Sequence, residues 1–243
     1  MRLSVIEVGP MPEEARPTYT SYPVMIENWL APALPDASFA TISLIGGETL
    51  PDPAAFDGYI ITGSRYGAYE NLPWMDPLRS FLRATRRLRV PVFGICFGHQ
   101  IMAQTYGAEV RKSERGWMIG AQPYDYTEDT QCGNGPAYVF HQDQVESVPQ
   151  GATVIGSSPQ CPIGALAYSF PALSVQYHPE FVEGYARFLL EKKRETLPSA
   201  VVDAAEESIL KLSVDNAAIA EWVAGFFRAN VDTASGNPTE KRL

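Results

Sequence analysis

The chain has 243 residues, 45% of them hydrophobic and 11% aromatic, enough for one sizeable core and compatible with a single α/β domain. A formal charge of -9 and a pI near 4.9 argue against a nucleic-acid backbone or an anionic membrane surface as the main partner, which leaves small molecules or proteins. Three cysteines at wide spacings do not make a disulfide framework, and a reducing cytoplasm fits them best.

From Met1 to Pro10 the chain reads as a first strand: its apolar stretch is too short for a signal peptide and carries Glu7 inside it. No stretch approaches the roughly 20 apolar residues of a membrane-spanning helix. Residues 10–38, rich in proline and carrying Tyr19, Tyr22 and Trp29, receive no assigned element and are expected to cover a cleft or form a partner surface. Apolar, β-branched runs recur at 3–8, 39–45, 58–62 and 90–95, with helix-like or irregular stretches between the later ones; this alternation predicts a parallel sheet covered by helices. Short strands at 137–141, 152–156, 163–168 and 172–177 follow without room for helices between them, as hairpins or edge strands added to the main sheet. After Pro179 the pattern turns helical, with Phe181, Tyr185, Phe188 and Leu189 on one face. Further helices are predicted near 200–212 and 216–228, the last with a stripe of Ile219, Trp222, Val223 and Phe226. Residues 234–243 read as a frayed tail. The expected organisation is one domain over 1–195 with a helical extension, 196–243, packed on it.

The segment Val90-Pro-Val-Phe-Gly-Ile-Cys-Phe-Gly-His-Gln100 is the most informative in the chain: a buried strand turns at Cys96 and continues into a helix over 98–106. Gly94 and Gly98 flank the cysteine two residues away on either side, as a strained elbow requires where side-chain bulk would block the backbone. A thiol held there faces the first free N–H groups of the helix, whose positive end favours a thiolate.

A reactive cysteine needs a base, and the chain offers His99, His141 and His178. His178 ends the apolar run Leu173–Tyr177 and precedes Pro179, which biases it to extended geometry. In an extended segment His178 and Glu180 share a face, so the carboxylate can orient the imidazole and complete a Cys-His-acid triad. Taken alone, His-Pro-Glu reads first as a strand ending in a polar turn; beside the elbow, the catalytic reading is preferred. His99, in the first turn after Cys96, reads as a packed or N-terminal polar residue. His141 is either a satisfied loop histidine or a pocket-lining one. Cys132 and Cys161 lack metal-type spacing and read as ordinary free cysteines. Tyr59–Ser64 is a strand running into a Gly-Ser turn, and the backbone N–H of Gly63, with that of Phe97, could form an oxyanion hole. Arg65 and Arg115 are candidates to meet a substrate carboxylate, although surface arginines are usually just solvated.

Gly94-Ile-Cys-Phe-Gly-His-Gln100, Tyr177-His-Pro-Glu180 and Ile61-Thr-Gly-Ser64 together resemble the class I (triad-type) glutamine amidotransferases, particularly the glutaminase domain of GMP synthase. The resemblance covers roughly residues 40–190. Ser113-Glu-Arg-Gly116 is similar to the segment bordering that family's glutamine pocket, and His141-Gln-Asp-Gln-Val145 to its His-x-Asp-x-Val stretch. Ala68-Tyr-Glu70 with Trp74-Met75 resembles the stand-alone branch that includes the plant γ-glutamyl peptidases. The resemblance implies a flavodoxin-like, mostly parallel sheet and cleavage at a γ-glutamyl carbonyl. It casts Cys96 as nucleophile, His178 as base, Glu180 as its orienting acid, Gly63 and Phe97 as backbone oxyanion donors, and Gln100 and His141 as substrate-binding residues, with no metal or cofactor. The implied substrate is glutamine or another γ-glutamyl compound. The partner would be a synthetase or acceptor enzyme, since the chain has neither a phosphate-binding loop nor room for a synthetase domain. A self-sufficient γ-glutamyl peptidase and a non-catalytic binding module that kept the fold are the competing readings.

Overall fold

The computed structural model describes residues 1–128, 130 and 132–235, with side chains up to 231. Apart from the backbone of 234 and 235, the expected tail at 234–243 lies outside the described residues. In chain order the first half holds β1 (Arg2–Glu7), α1 (Arg16–Tyr19), α2 (Tyr22–Leu30), β2 (Ser38–Ser43), β3 (Gly58–Ile61), α3 (Met75–Leu88), β4 (Val92–Ile95) and α4 (Phe97–Thr105). The second half holds β5 (Val110–Lys112), β6 (Met118–Tyr126), β7 (Gly135–His141), β8 (Asp143–Val145), β9 (Ala152–Ser158), β10 (Cys161–Tyr168), β11 (Ala172–Val175), α5 (Glu183–Lys193), α6 (Ser199–Lys211) and α7 (Asn216–Ser235). None of the helices among the described residues is long and apolar enough to cross a membrane.

A nine-stranded sheet, ordered β2-β1-β3-β4-β11-β10-β9-β6-β7, organises the molecule. Its first five strands are mutually parallel, in the 2-1-3-4-5 order of flavodoxin-like folds. The remaining four join antiparallel, so the second half extends the sheet as hairpins. β11 belongs to both parts: it forms a hairpin with β10 and pairs in parallel with β4, in register Val175 to Ile95. A separate two-stranded ladder, β5 with β8, closes over one end.

Side-chain alternation explains why both faces are covered. Leu3, Val5, Ile60, Phe93, Ile95 and Val175 point to one face and pack beneath α2 and α7, against Ile26, Leu30, Val223 and Phe227. Ile6, Tyr59, Ile61 and Val92 point to the other, against Leu78 and Phe81 of α3 and Ile101 and Met102 of α4. A third cluster joins β6 and β7 to α5 and α6 through Ile119, Ala121, Tyr138, Leu189 and Ile209. The segment left without elements in the sequence reading therefore supplies a core helix. Its signal was present: Ser21 caps α2, its side chain accepting from the Val24 N–H at 3.3 Å, with Pro23 in the first turn.

The helices after residue 195 lie directly on the sheet. α6 approaches β6 so closely at Gly120 that a Cβ there would stand 2.4 Å from Ser208 Oγ, and the backbone there has φ +97°. The same hydroxyl accepts the Ala121 N–H at 3.0 Å. Gly120→Ala should therefore destabilise the fold by about 1–3 kcal/mol or more, combining left-handed strain with a clash, measured as a lowered urea midpoint.

Candidate active site

Cys96 sits at the joint between β4, buried at every residue, and α4, with φ 51° and ψ -98°. Such a conformation is strained for a residue with a side chain and persists only where the surroundings enforce it. Two hydrogen bonds do so. The Cys96 N–H continues the ladder to the Val175 carbonyl at 2.8 Å, and the Cys96 carbonyl accepts the Gln100 N–H at 3.1 Å to start the helix. The flanking glycines are needed for close packing: a Cβ on Gly94 would meet Met102 Sδ at 2.5 Å, and one on Gly98 the Ile61 carbonyl oxygen at 2.6 Å.

His178 and Glu180 follow β11, the neighbour of β4. Their pairing does not come from an extended segment, as the spacing had predicted. The chain turns instead, the Phe181 N–H reaching back to the His178 carbonyl at 3.3 Å, and the turn brings His178 Nδ1 to 2.8 Å from Glu180 Oε1. The imidazole stacks on Phe181 with centroids 3.9 Å apart, and the His178 N–H donates to the Tyr138 carbonyl at 2.8 Å. Gly63, at the end of β3, lets the ring in: a Cβ there would lie 2.7 Å from His178 Cε1 and 3.6 Å from Cys96 Cβ. Burial works against a charged ring, but the Glu180 carboxylate and then Cys96 outweigh it, and the His178 pKa is raised from 6.5 to about 10.

Cys96, His178, Gly63, Gln100 and His141 line one cavity of about 1090 Å³. Phe97 does not line it; its ring packs on Trp74 at 5.6 Å, while its N–H lies in the first turn of α4, where no intrahelical acceptor exists. Gln100 Nε2 donates to the Asp143 carbonyl at 2.9 Å and to Gln176 Oε1 at 3.2 Å. Gln176 in turn points Nε2 at Cys96 Sγ, 3.5 Å away. Sequence reasoning missed Gln176, although an amide in the mostly apolar run Leu173–Tyr177, two residues before His178, was a usable signal.

His141 and His99 part ways. His141 Nδ1 must donate to the Asp143 carbonyl, 3.1 Å away, which leaves Nε2 a buried acceptor with no partner among the described residues. Burial above all, with the charges of His178 and His99, pushes its pKa down to about 3. His99 is fully buried and ties α4 to the sheet through Ser174 Oγ at 2.8 Å and the Ile163 carbonyl at 3.1 Å; burial pushes it down to about 4. It is a packed residue, as its position suggested. Arg65 lines the cavity and lies over the Tyr66 ring, whereas Arg115 lies outside it. A residue the sequence did not flag, Arg79, holds the wall: its buried guanidinium bonds the Ala68 carbonyl at 2.7 Å and Gln104 Oε1 at 2.9 Å, pinning the 68–71 loop to α4. Cys132 and Cys161 are free and buried, and burial raises them to about 11 and about 12.

The profile described as Glutamine amidotransferase class-I matches residues 50–193, and the chain belongs to that family. It is 27% identical over 176 residues to gamma-glutamyl peptidase 2 of Arabidopsis thaliana, covering 68% of this chain and 70% of that one. A glutamine amidotransferase-like protein of Schizosaccharomyces pombe is 32% identical over 128 residues, and the chain spans about half its length, 52%. GMP synthase [glutamine-hydrolyzing] of Clostridium acetobutylicum is 35% identical over 130 residues, 50% of this chain and 24% of that protein. Among solved structures, a glutamine amido transferase from Methylobacillus flagellatus superposes with a TM-score of 0.74 at 22% identity, covering 100% of this chain and 98% of that one; this likeness speaks for the fold.

Two outcomes follow from the geometry. Gly63→Ala should displace the imidazole and slow alkylation of Cys96 by iodoacetamide at least about ten-fold with the fold retained, read by mass spectrometry of the Cys96 peptide. Because the folded His178 pKa lies above its unfolded value, its stabilising contribution is complete below about pH 6.5 and lost as pH rises through about 10. The stability gap between wild type and His178→Asn, from urea unfolding, should narrow across that window.

Proposed function

We propose that this chain hydrolyses a γ-glutamyl amide bond through a thioester on Cys96. The observation that carries the reading is the position of His178, hydrogen-bonded to Glu180 on one side and set against the strained cysteine on the other. His178, charged at neutral pH, already carries the proton at Nε2, the ring nitrogen that Glu180 leaves free, when Cys96 Sγ attacks the γ-carbonyl carbon. Backbone N–H groups of Gly63 and Phe97 receive the developing oxyanion. The C–N bond breaks as His178 gives that proton to the departing ammonia or amine. Water, deprotonated by His178, then attacks the thioester, and the C–S bond breaks with that proton kept on His178 as glutamate leaves. Glu180 keeps the ring oriented and favours its charged form throughout. His141 Nε2 and Gln100 stand on the wall where the glutamyl group would lie, the former as an acceptor for a substrate donor.

The size of the cavity favours a donor larger than glutamine. About 1090 Å³ is just above the roughly 300–1,000 Å³ usual for small-molecule sites, far more than a free amino acid fills. Its walls carry charge of both signs, Arg16, Arg65, Lys112, Lys192 and Lys193 beside Glu13, Glu14, Glu70 and Asp143, with Lys192 paired to Glu14, so the preference rests on size. A self-sufficient hydrolase of γ-glutamyl conjugates is thus preferred over a glutaminase that feeds ammonia to a separate synthetase. The free thiols of Cys96, Cys132 and Cys161 fit a reducing, cytoplasmic setting.

Cys96→Ser should lower glutamate release about a thousand-fold or more while leaving the fold intact, since little core volume changes. Incubation with glutamine and a panel of γ-glutamyl peptides, followed by mass spectrometry of Cys96, tests both parts. Turnover of peptides over glutamine supports the conjugate reading. Rapid turnover of glutamine alone, or an adduct released only on adding a second protein, supports the glutaminase reading. Retained activity in the Cys96→Ser variant overturns both.

A further inference from the structure

Gln176, one residue beyond β11, is wholly buried and held at its backbone. Its N–H donates to the Gly164 carbonyl of β10 at 2.8 Å, and the carbonyl of the preceding Val175 accepts the Cys96 N–H. Alternation along the strand puts the side chains of Ser174 and Gln176 on the side of α4, where Ser174 meets His99 and Gln176 meets Gln100, consecutive residues of the first helical turn. The two pairs differ in what they leave over. Ser174 ends at His99, whereas the Gln176 amide keeps a second polar atom, turned to Cys96 Sγ at 3.5 Å.

Which atom faces the sulfur is decided outside that amide. The Asp143 carbonyl can only accept, so Gln100 must present Nε2 to it, at 2.9 Å. The same nitrogen donates a second hydrogen to the Gln176 amide at 3.2 Å, which must answer with Oε1. Nε2 of Gln176 is thereby left toward the sulfur as a donor. Turned the other way, the amide would set its oxygen against Sγ and lose the bond from Gln100. A neutral thiol gains little from such a donor, whereas a thiolate gains a charge-assisted hydrogen bond, here at a sulfur that is buried.

We propose that Gln176 is a positioning residue for Cys96: with Gln100 and the Asp143 carbonyl it forms a chain of hydrogen bonds that holds an N–H on the sulfur and favours the charged nucleophile. Gln176 has that role only if Cys96 is the nucleophile, as proposed above. His178 supplies the positive charge, with Glu180 acting through it, and the amide adds a donor whose polarity does not depend on pH. Of the other titratable groups around this pair, burial pushes Tyr22 of α2 and Cys161 of β10 up to about 12 and His141 of β7 down to about 3, so all three stay neutral over the range tested below. The charged residues of the cavity wall, Arg65, Glu70, Lys112 and Asp143, are common to wild type and variants.

The test follows the rate of Cys96 labelling by iodoacetamide against pH in the wild type and in Gln176→Met, which keeps the length of the side chain and removes the donor. The expected result is a profile displaced to higher pH by about one unit, with labelling at least about ten-fold slower at about pH 6 and equal rates at the alkaline plateau. Ser174→Ala, which breaks the neighbouring bond to His99, should leave the profile in place. A uniform loss at every pH, an unmoved profile, or the same displacement in Ser174→Ala overturns the proposal. If Gln176→Met does not fold, the wild type decides: the side-chain amide proton NMR signals of Gln176 should move over the pH range in which labelling switches on, and signals that stay still across it overturn the proposal. Labelling needs no turnover, so a displaced profile in a chain that releases no glutamate from any γ-glutamyl donor supports the role of Gln176 and overturns the hydrolase reading alone.

Discussion

The cysteine backbone at φ 51° is the constraint from which the site is built. Left alone, such a residue would relax, and holding it costs about 1–3 kcal/mol. The sheet supplies the restraint on one side, where Cys96 extends the ladder to Val175, and the helix on the other, where its carbonyl receives the Gln100 N–H in the first turn of α4. Neither can yield, because Gly94, Gly98, Met102 and the end of β3 are already in contact. The strain projects the sulfur out of a strand that would otherwise bury it, toward the imidazole.

Around that point the rest of the chain acts as support. α5 and α6 hold β6 and β7, whose Tyr138 carbonyl receives the His178 N–H. α3 reaches across through Arg79 to fix the loop that faces the cavity. The start of α7 meets the His178–Glu180 turn through Asn216, which donates to the Phe181 carbonyl. The helices beyond residue 195, outside the span matched by the family profile, thus help shape the surroundings of Glu180.

Much of this was legible in the residues because the relevant signals are local. The apolar runs at 3–8, 39–45, 58–62 and 90–95, the glycines around Cys96 and the helical spacing after Pro179 each require only a short window, and four strands of the parallel half follow from them; the run at 172–177, read as a hairpin or edge strand, is instead central, β11 pairing in parallel with β4. What escaped depended on distant partners. α2 was hidden among prolines whose role at a helix start shows only with Ser21 as cap. β6 carries Pro123 and polar residues that its pairings with β7 and β9 accommodate. Gln176 and Arg79 are single polar residues, whose worth depends on what stands opposite them in space. The His178–Glu180 pair was foreseen with the wrong geometry, since spacing two apart fits an extended segment as readily as the turn that forms.

Cys96 and His178, the proposed nucleophile and base, emerge from the carboxyl ends of β4 and β11, adjacent strands joined at Ile95 and Val175. Their separation is inherited from interstrand spacing, so the roughly eighty residues of chain between them carry no responsibility for it. The arrangement behaves like a ratchet rather than a dial. Insertions and deletions in the intervening hairpins leave the reacting atoms where they are, whereas any slip of β11 must go by a whole residue, turning each of its side chains to the opposite face and withdrawing the imidazole altogether.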